Sequence, residues 1–488
     1  MPSAQCNPGD GNFSIIRGIR KTRQPALFPQ QGAAEETGVC RKRTMRKGKP
    51  VNTVWKTTLF LICVIVLCPS GHAQPAVRID SPFSTDPRTR IAVPNFALSD
   101  PQLQPIAQEM TQVVADDLEF SGLFVVLPPA QYPATFTGLT PDVGSLDLPA
   151  WLAVKAENLV YGYVYLEGDM LVAQFRLFDL YSNTQLHGQE VRVDRVHYRL
   201  AAHRFSEEVI RQVDGVAGIG TTEIFFAGTS GTNVKEIYVA DYDGANVRKL
   251  TNHQSLSIMP DVSSDGGSVA YLSYKDRYCF LYIFDRASGG SHPLSKEVGL
   301  NSAAGWVPGG QRLAMTLSKD GNAEIYLRDK NGGNTVRLTE NKEGDTSPCF
   351  SPDGGRIAFV SDRAGRPQIY VMNADGSGQT RVSFHGGAAY DPAWSPDGKM
   401  IAFVSSVSGE GFEIYSMGSD GSNPVRLTNT SGVNEAPSWS PDSRHIAFSS
   451  TRNGRPELWT VTLSTKAEQP ISRISMGAEG PSWGPRRK

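Results

Sequence analysis

Cysteine is scarce in this sequence: there are six in 488 residues, and Cys6, Cys40, Cys63 and Cys68 all fall within the first 73 positions. The remainder keeps only Cys279 and Cys349, which excludes a disulfide framework or a thiolate metal cluster. Excess positive charge is also lacking. The formal net charge is −1, but residues 1–73 hold 11 Lys/Arg against 3 Asp/Glu, so the rest carries 37 basic and 46 acidic side chains, a net of −9. Such a body offers no general field for a phosphate backbone, and a nucleic-acid partner is not expected. No apolar run approaches the roughly 20 residues that a helix needs to cross a bilayer core. The run from Leu59 to Cys68 is short, follows Arg46, Lys47, Lys49 and Lys56, and precedes Gly71-His72-Ala73, the three-part pattern of a cleaved export signal. Residues 45–73 therefore read as a signal peptide cut after Ala73, with no direct membrane insertion of the mature chain. Residues 1–44 read as a leader extension or a misassigned start upstream of Met45. Ile65-Val66-Leu67 lacks the small residue expected ahead of a lipidated cysteine at Cys68.

Catalytic and metal-binding patterns are equally thin. The seven histidines beyond the leader form no His-Glu-x-x-His pair and no Cys/His cluster, and His197 and His203, six apart, do not share a helical face. Asp241-Tyr242-Asp243-Gly244 is similar to the opening of a calcium loop but lacks the bidentate glutamate at loop position twelve, so it reads as a hairpin turn. Gly480-Pro481-Ser482-Trp483-Gly484 matches the nucleophile pattern of hydrolases, yet no helix follows it to present the serine. No glycine-rich phosphate loop precedes a helix. No catalytic residue, cofactor or metal ligand is assigned, and the expectation is a protein that is not an enzyme.

What the sequence does hold is repetition. Equivalent positions recur at Pro260, Ala304, Pro348, Pro392, Pro437 and Pro481, spaced 44, 44, 44, 45 and 44 residues apart. Tyr238, Tyr282, Tyr326, Tyr370, Tyr415 and Trp459 keep the same five spacings. In the clearest unit, Pro392-Ala-Trp394-Ser-Pro-Asp-Gly398 precedes Met400-Ile-Ala-Phe-Val-Ser, then Glu413-Ile-Tyr-Ser-Met, then Val425-Arg-Leu-Thr428. Each segment is short and β-rich, and Ser-Pro-Asp-Gly suits a type I turn, so a unit of about 44 residues predicts the four strands of a propeller blade. Trp306, Trp394, Trp439 and Trp483 share one register position and read as blade-to-blade core. The first unit, from Thr222, lacks an opening strand, and Pro481-Ser482-Trp483 at the far end supplies one. Six blades result, with the ring closed by the C-terminal strand.

Ahead of the repeat the periodicity changes. Ile91–Phe96 reads as a strand, Asp100-Pro101 opens a helix with Leu103, Ile106, Ala107, Met110, Val113, Val114 and Leu118 on one face, and Gly122 ends it. A short strand (123–127), a helix near 151–157, strands at 159–166, 170–180 and 185–192 and a helix over 198–213 complete a mixed set. The fold class expected is thus an α/β amino-terminal domain (74–218) plus an all-β six-bladed propeller (219–488).

The Pro-x-Trp-Ser-Pro-Asp-Gly…Ile-Ala-Phe…Ile-Tyr…Arg-Leu-Thr repeat resembles that of the TolB family and of propellers attached to some peptidases. The junction Tyr198-Arg199…His203…Glu207-Glu208-Val209, running into Gly215…Gly218…Thr222-Glu223-Ile224-Phe225-Phe226, resembles that of TolB proteins in particular. The likeness spans nearly all of residues 76–484. It implies a monomeric periplasmic scaffold of the Tol-Pal envelope system of a Gram-negative bacterium. Such a scaffold bridges the lipoprotein Pal and the inner-membrane protein TolA, supporting outer-membrane integrity and envelope invagination during division. The alternative is an exported propeller peptidase or glycan lyase. Matching the family's Pal-binding loops to this register picks out Leu300, Asn301, Ala303, Thr346 and Ser347. Leu300 departs from the histidine that family members can carry. Asp345, Asp391, Glu435 and Glu479 fall in or beside equivalent loops and predict an acidic mouth. For TolA the resemblance points to the first mature residues, where Val77-Arg78-Ile79-Asp80 alternates as a short strand does.

Overall fold

The computed structural model describes residues 86–384, 387–406 and 411–487, with only the backbone of Ala303. The export signal and Val77, Arg78, Ile79 and Asp80 lie outside the described residues.

The amino-terminal domain runs β1 (Thr89–Ala92), β2 (Ala97–Leu98), α1 (Gln104–Phe120), β3 (Phe124–Val126), α2 (Leu148–Ala153), β4 (Asn158–Glu167), β5 (Met170–Asp179), β6 (Thr184–Asp194) and α3 (Tyr198–Asp214). Its sheet has the order β3-β1-β4-β5-β6, with β2 also paired to β4. β1 lies parallel to β3 and β4, and β4, β5 and β6 form an antiparallel meander. Two sequence expectations shift. The first strand stops at Ala92 instead of Phe96, since Pro94 has no N–H to give a ladder. The helix near Trp151 begins at Leu148 and ends at Ala153, because the Asp147 carboxylate accepts from Ala150 N and Pro149 suits the first turn. Asp100 accepts from Gln102 N and starts the turn that leads into α1. The apolar stripe of α1 (Ala107, Met110, Val113, Val114, Leu118) joins Ala201, Ala202, Phe205 and Val209 of α3 over one face of the sheet. Gly122 leaves α1 at φ +71°, and a Cβ there would stand 3.2 Å from Thr462 of the propeller, so the turn also needs the absence of a side chain.

Six four-stranded antiparallel sheets form the ring. Blade 1 consists of Ala478–Trp483, Glu223–Gly231, Val234–Asp241 and Arg248–Lys249 from the channel outwards, and the pairing Trp483↔Ile224 joins the first and last strands of the repeat array as the repeat predicts. Blades 2 to 6 open on Ser257–Val262, Asn301–Trp306, Asp345–Phe350, Ala388–Trp394 and Asn434–Trp439. The motif residues explain the repeat. Ser395 O accepts from Gly398 N at 2.9 Å, while the Ser395 hydroxyl donates to Asp397 at 2.6 Å and accepts from Met400 N at 2.9 Å, which locks the Ser-Pro-Asp-Gly turn. In the Arg-Leu-Thr strand, Thr428 donates to buried Glu413 at 2.5 Å and accepts from Ile414 N at 2.9 Å, and Arg426 pairs with the same carboxylate at 2.9 Å. Thr339, Glu324 and Arg337 repeat that clamp in blade 3. The tryptophans are buried between blades, and Trp439 Nε1 donates to Ala393 O of the preceding blade at 2.9 Å. Cys279 and Cys349 are not joined in a disulfide and lie in blades separated by a third.

The amino-terminal domain sits on blades 1 and 6, at the end of the ring that carries their first-to-second and third-to-fourth turns. Tyr242 donates to Asp117 at 2.5 Å, Arg199 pairs with Asp243 at 2.5 Å, Arg444 pairs with Asp214, and the Phe120 ring lies 4.4 Å from that of His445. Beyond the closing strand, Arg486 donates to the carbonyls of Ala217 and Gly218, and Arg487 to that of Thr221, so the C-terminus ties down the linker between the domains.

Candidate protein-binding face at the channel mouth

In an antiparallel four-stranded blade, the loops entering the first strand and the second-to-third hairpins emerge at the same end. That end is opposite the amino-terminal domain, and there the six innermost strands converge. Each of these strands slips register once against its neighbour, in all six blades. The residue before the landmark position takes a positive φ at Met259 (53°), Ser347 (51°), Asp391 (47°), Ala436 (54°) and Gly480 (61°). Such bulges re-aim side chains and cost conformational energy for residues other than glycine.

The wall so built is acidic. Asp261 and Asp391 keep some contact with the channel but are largely enclosed. Burial pushes Asp261 up to about 7, against a backbone hydrogen bond from Trp306 and the Ser482 hydroxyl. Burial likewise takes Asp391 up to about 6, against the Ala436 N–H. Glu435 rises to about 7, first through burial and then through the charges of Asp391 and Glu479, with Lys235 pulling it down. Lys235 pairs with Glu479 at 2.5 Å. Neighbouring blades are stitched along the same wall: Val262 N donates to Ser482 Oγ at 3.0 Å, Trp394 N to Cys349 Sγ at 3.3 Å and Trp483 N to Ser438 Oγ at 2.8 Å. Ser482 thus spends its hydroxyl on Val262 and, at 3.3 Å, on Asp261. Burial drives the Cys349 thiol up to about 12, which makes it a poor nucleophile.

The structure divides the residues expected from sequence. Leu300 is exposed on the loop into blade 3, its backbone held by Ser318. Thr346 and Ser347 lie half-buried at the bulge of blade 4, and Ala303 lies in the innermost strand of blade 3. Asn301 differs from expectation. It is fully buried, and its amide accepts from Ser295 and Glu297 N and donates to Glu297 O and Gly299 O, so it clamps the loop from inside instead of facing a partner. Asp345 is also buried, paired with Arg363 at 2.8 Å and Asn341 at 2.7 Å, and adds no charge to the mouth. The sequence reading missed Asp261, which register alone aligns with Cys349 and Ser482, and an apolar rim. Seven large apolar side chains are exposed among the described residues of the propeller. Five (Met259, Tyr278, Val298, Leu300, Phe384) lie at this end, and Val336 and Val425 lie on outermost strands. Asp241-Tyr242-Asp243-Gly244 is the third-to-fourth hairpin turn of blade 1, as expected.

Comparison with known proteins agrees with this architecture. A family model described as the TolB beta propeller domain matches residues 210–487, and one described as the TolB amino-terminal domain matches residues 77–186. The chain is 37% identical over 270 residues to the Tol-Pal system protein TolB of Desulfosudis oleivorans, covering 54% of this chain and 60% of that one. It is 34% identical over 215 residues to that of Roseobacter denitrificans, covering 43% and 48%. The matched region thus spans about half to three-fifths of the length of these relatives. The crystal structure of TolB from Acinetobacter baumannii superposes with a TM-score of 0.72 at 24% identity, over 82% of this chain and 97% of that one, and shares the fold of an α/β domain joined to a six-bladed propeller. With more than half of its length matched by the propeller model and a second model covering the domain ahead of it, the chain belongs to the TolB family.

Proposed function

We propose that this protein is a periplasmic scaffold of the Tol-Pal envelope system, exported with cleavage after Ala73, which binds Pal at the channel mouth and TolA through its first mature residues, and catalyses nothing. Bridging these partners would support outer-membrane integrity and envelope invagination during division. The observation that carries this reading is the apolar rim around an acidic channel at the one end of the ring that the amino-terminal domain leaves open. An exposed apolar patch rimmed by polar groups fits a protein partner, and the channel carboxylates favour a partner that offers basic or hydrogen-bond-donating groups at its centre. Calorimetric titration of the mature protein with the soluble domain of Pal, and separately with TolA, tests the proposal. Saturable one-to-one binding of both is expected. Absence of binding, or turnover of peptide or glycan substrates that is lost in Ser482→Ala, would favour the enzyme instead.

A further inference from the structure

We propose that His203 is a proton-operated latch between the amino-terminal domain and the propeller, closed while its imidazole is protonated on both ring nitrogens and loosened when the proton on Nε2 leaves. The latch centres on Asp117 of α1, a carboxylate only 4% exposed. It accepts from Tyr242 of the propeller at 2.5 Å, from Ser206 of α3 and from His203 Nδ1 at 2.8 Å. Tyrosine and serine bring no charge, and among the described residues no lysine or arginine pairs with Asp117. A carboxylate this deep needs a counter-charge, and His203, 1% exposed, is the group placed to supply it. Its other nitrogen, Nε2, is buried without a hydrogen-bond partner.

Charged groups around the imidazole and the carboxylate it serves come from several elements: Asp243 and Asp241 on the blade 1 turn, Arg199 and Glu207 on α3 itself, Asp116 on α1, buried Asp442 on the first-to-second turn of blade 6, Arg473 on the segment after blade 6 and Arg487 beyond the closing strand. His203, Asp241 and Asp243 place ligand atoms within 4.8 Å of one another, but this is not a vacant cation site. Asp243 already holds Arg199 at 2.5 Å and Arg473 at 2.7 Å, and Asp241 holds Arg487 at 3.0 Å. Burial pulls His203 down, yet the charge and hydrogen bond of Asp117, aided by Asp243 and opposed by Arg199, leave it above its ordinary value. Junction stability from this group is therefore fully present below the unfolded histidine value of about 6.5 and is lost as pH rises through the folded one. On that rise the proton on Nε2 passes to solvent while Nδ1–H stays on Asp117. The buried anion then lacks its counter-charge, and parting Tyr242 from Asp117 lets water reach it.

The test uses the mature chain with Cys279→Ser and Cys349→Ser and spin labels at exposed Val196, just ahead of α3, and exposed Val336, on blade 3. Interdomain distances are measured from pH 6 to 9, alongside histidine-selective NMR titration. The distance distribution should broaden in step with the titration of one imidazole whose midpoint lies above that of free histidine. His203→Gln should be broad at every pH, and adding Asp117→Asn should restore the narrow distribution with no pH dependence. A His203 that titrates at or below the free value, or a distribution unchanged across its titration, overturns the proposal. Should His203→Gln fail to fold, the wild-type distances through that pH window decide alone.

Discussion

His445 lies fully buried against Phe120, with Nδ1 3.0 Å from the Thr462 hydroxyl. Burial lowers it to about 4, with Asp442 opposing and Arg444 assisting. A histidine held neutral in the fold contributes stability above the unfolded value of about 6.5, and that contribution fades as pH falls towards the folded one, an effect on the order of 3 kcal/mol. Replacing His445 with glutamine should flatten the decline of the melting temperature between pH 6.5 and 4; an unchanged decline would exclude His445 as its source. The buried Thr–Glu clamps predict a second single-residue effect. Thr428→Val leaves the buried Ile414 N without a partner and strips one donor from Glu413, which keeps Arg426, Thr430 N and Asn434, and should cost about 1–3 kcal/mol in denaturant unfolding, whereas a surface hydroxyl would cost almost nothing. Residue type was legible in the sequence, but side-chain direction was not. Asn301 and Asp345 were expected at the mouth, yet each is drawn inward by donors and acceptors 2 to 18 residues away along the chain.

Elements were read more fully, because the landmarks near residues 260, 304, 348, 392, 437 and 481 each mark an innermost strand that the structure contains. The closing strand was legible from what blade 1 lacked, whereas the bulge was not, since nothing in residue type distinguishes Ser347 or Ala436 from an ordinary strand position. That repeated bulge has a thermodynamic consequence. Asp391 and Glu435 have folded values raised to about 6 and about 7, so each contributes stability fully present below the unfolded carboxylate value near 4 and lost as pH rises through the folded one. Asp391→Asn combined with Glu435→Gln should therefore raise the melting temperature at pH 7.5 and leave it nearly unchanged at pH 4.5. A loss of stability at neutral pH would show that these carboxylates are favourably paired and not mutually repelled.

At the scale of the molecule, the fold turns one end of a ring towards solvent and fastens the other to an α/β domain. The sequence could show two domains and a ring, but the exposure of Tyr278, Val298 and Phe384 depends on how far each hairpin and loop projects, which no local pattern encodes. Export predicts that the mature chain begins at Gln74, and intact-mass analysis that finds residues 59–68 retained would contradict cleavage. The central claim is that the open mouth is the docking face for Pal. Its most direct test is the affinity of Pal for the mature protein carrying Ala303→Arg and Thr346→Arg, with circular dichroism and melting temperature confirming an intact ring. The account predicts binding weakened by at least about tenfold, some 1.4 kcal/mol, in a double variant whose circular dichroism and melting show an intact ring. A folded double variant that binds Pal with wild-type affinity would contradict it.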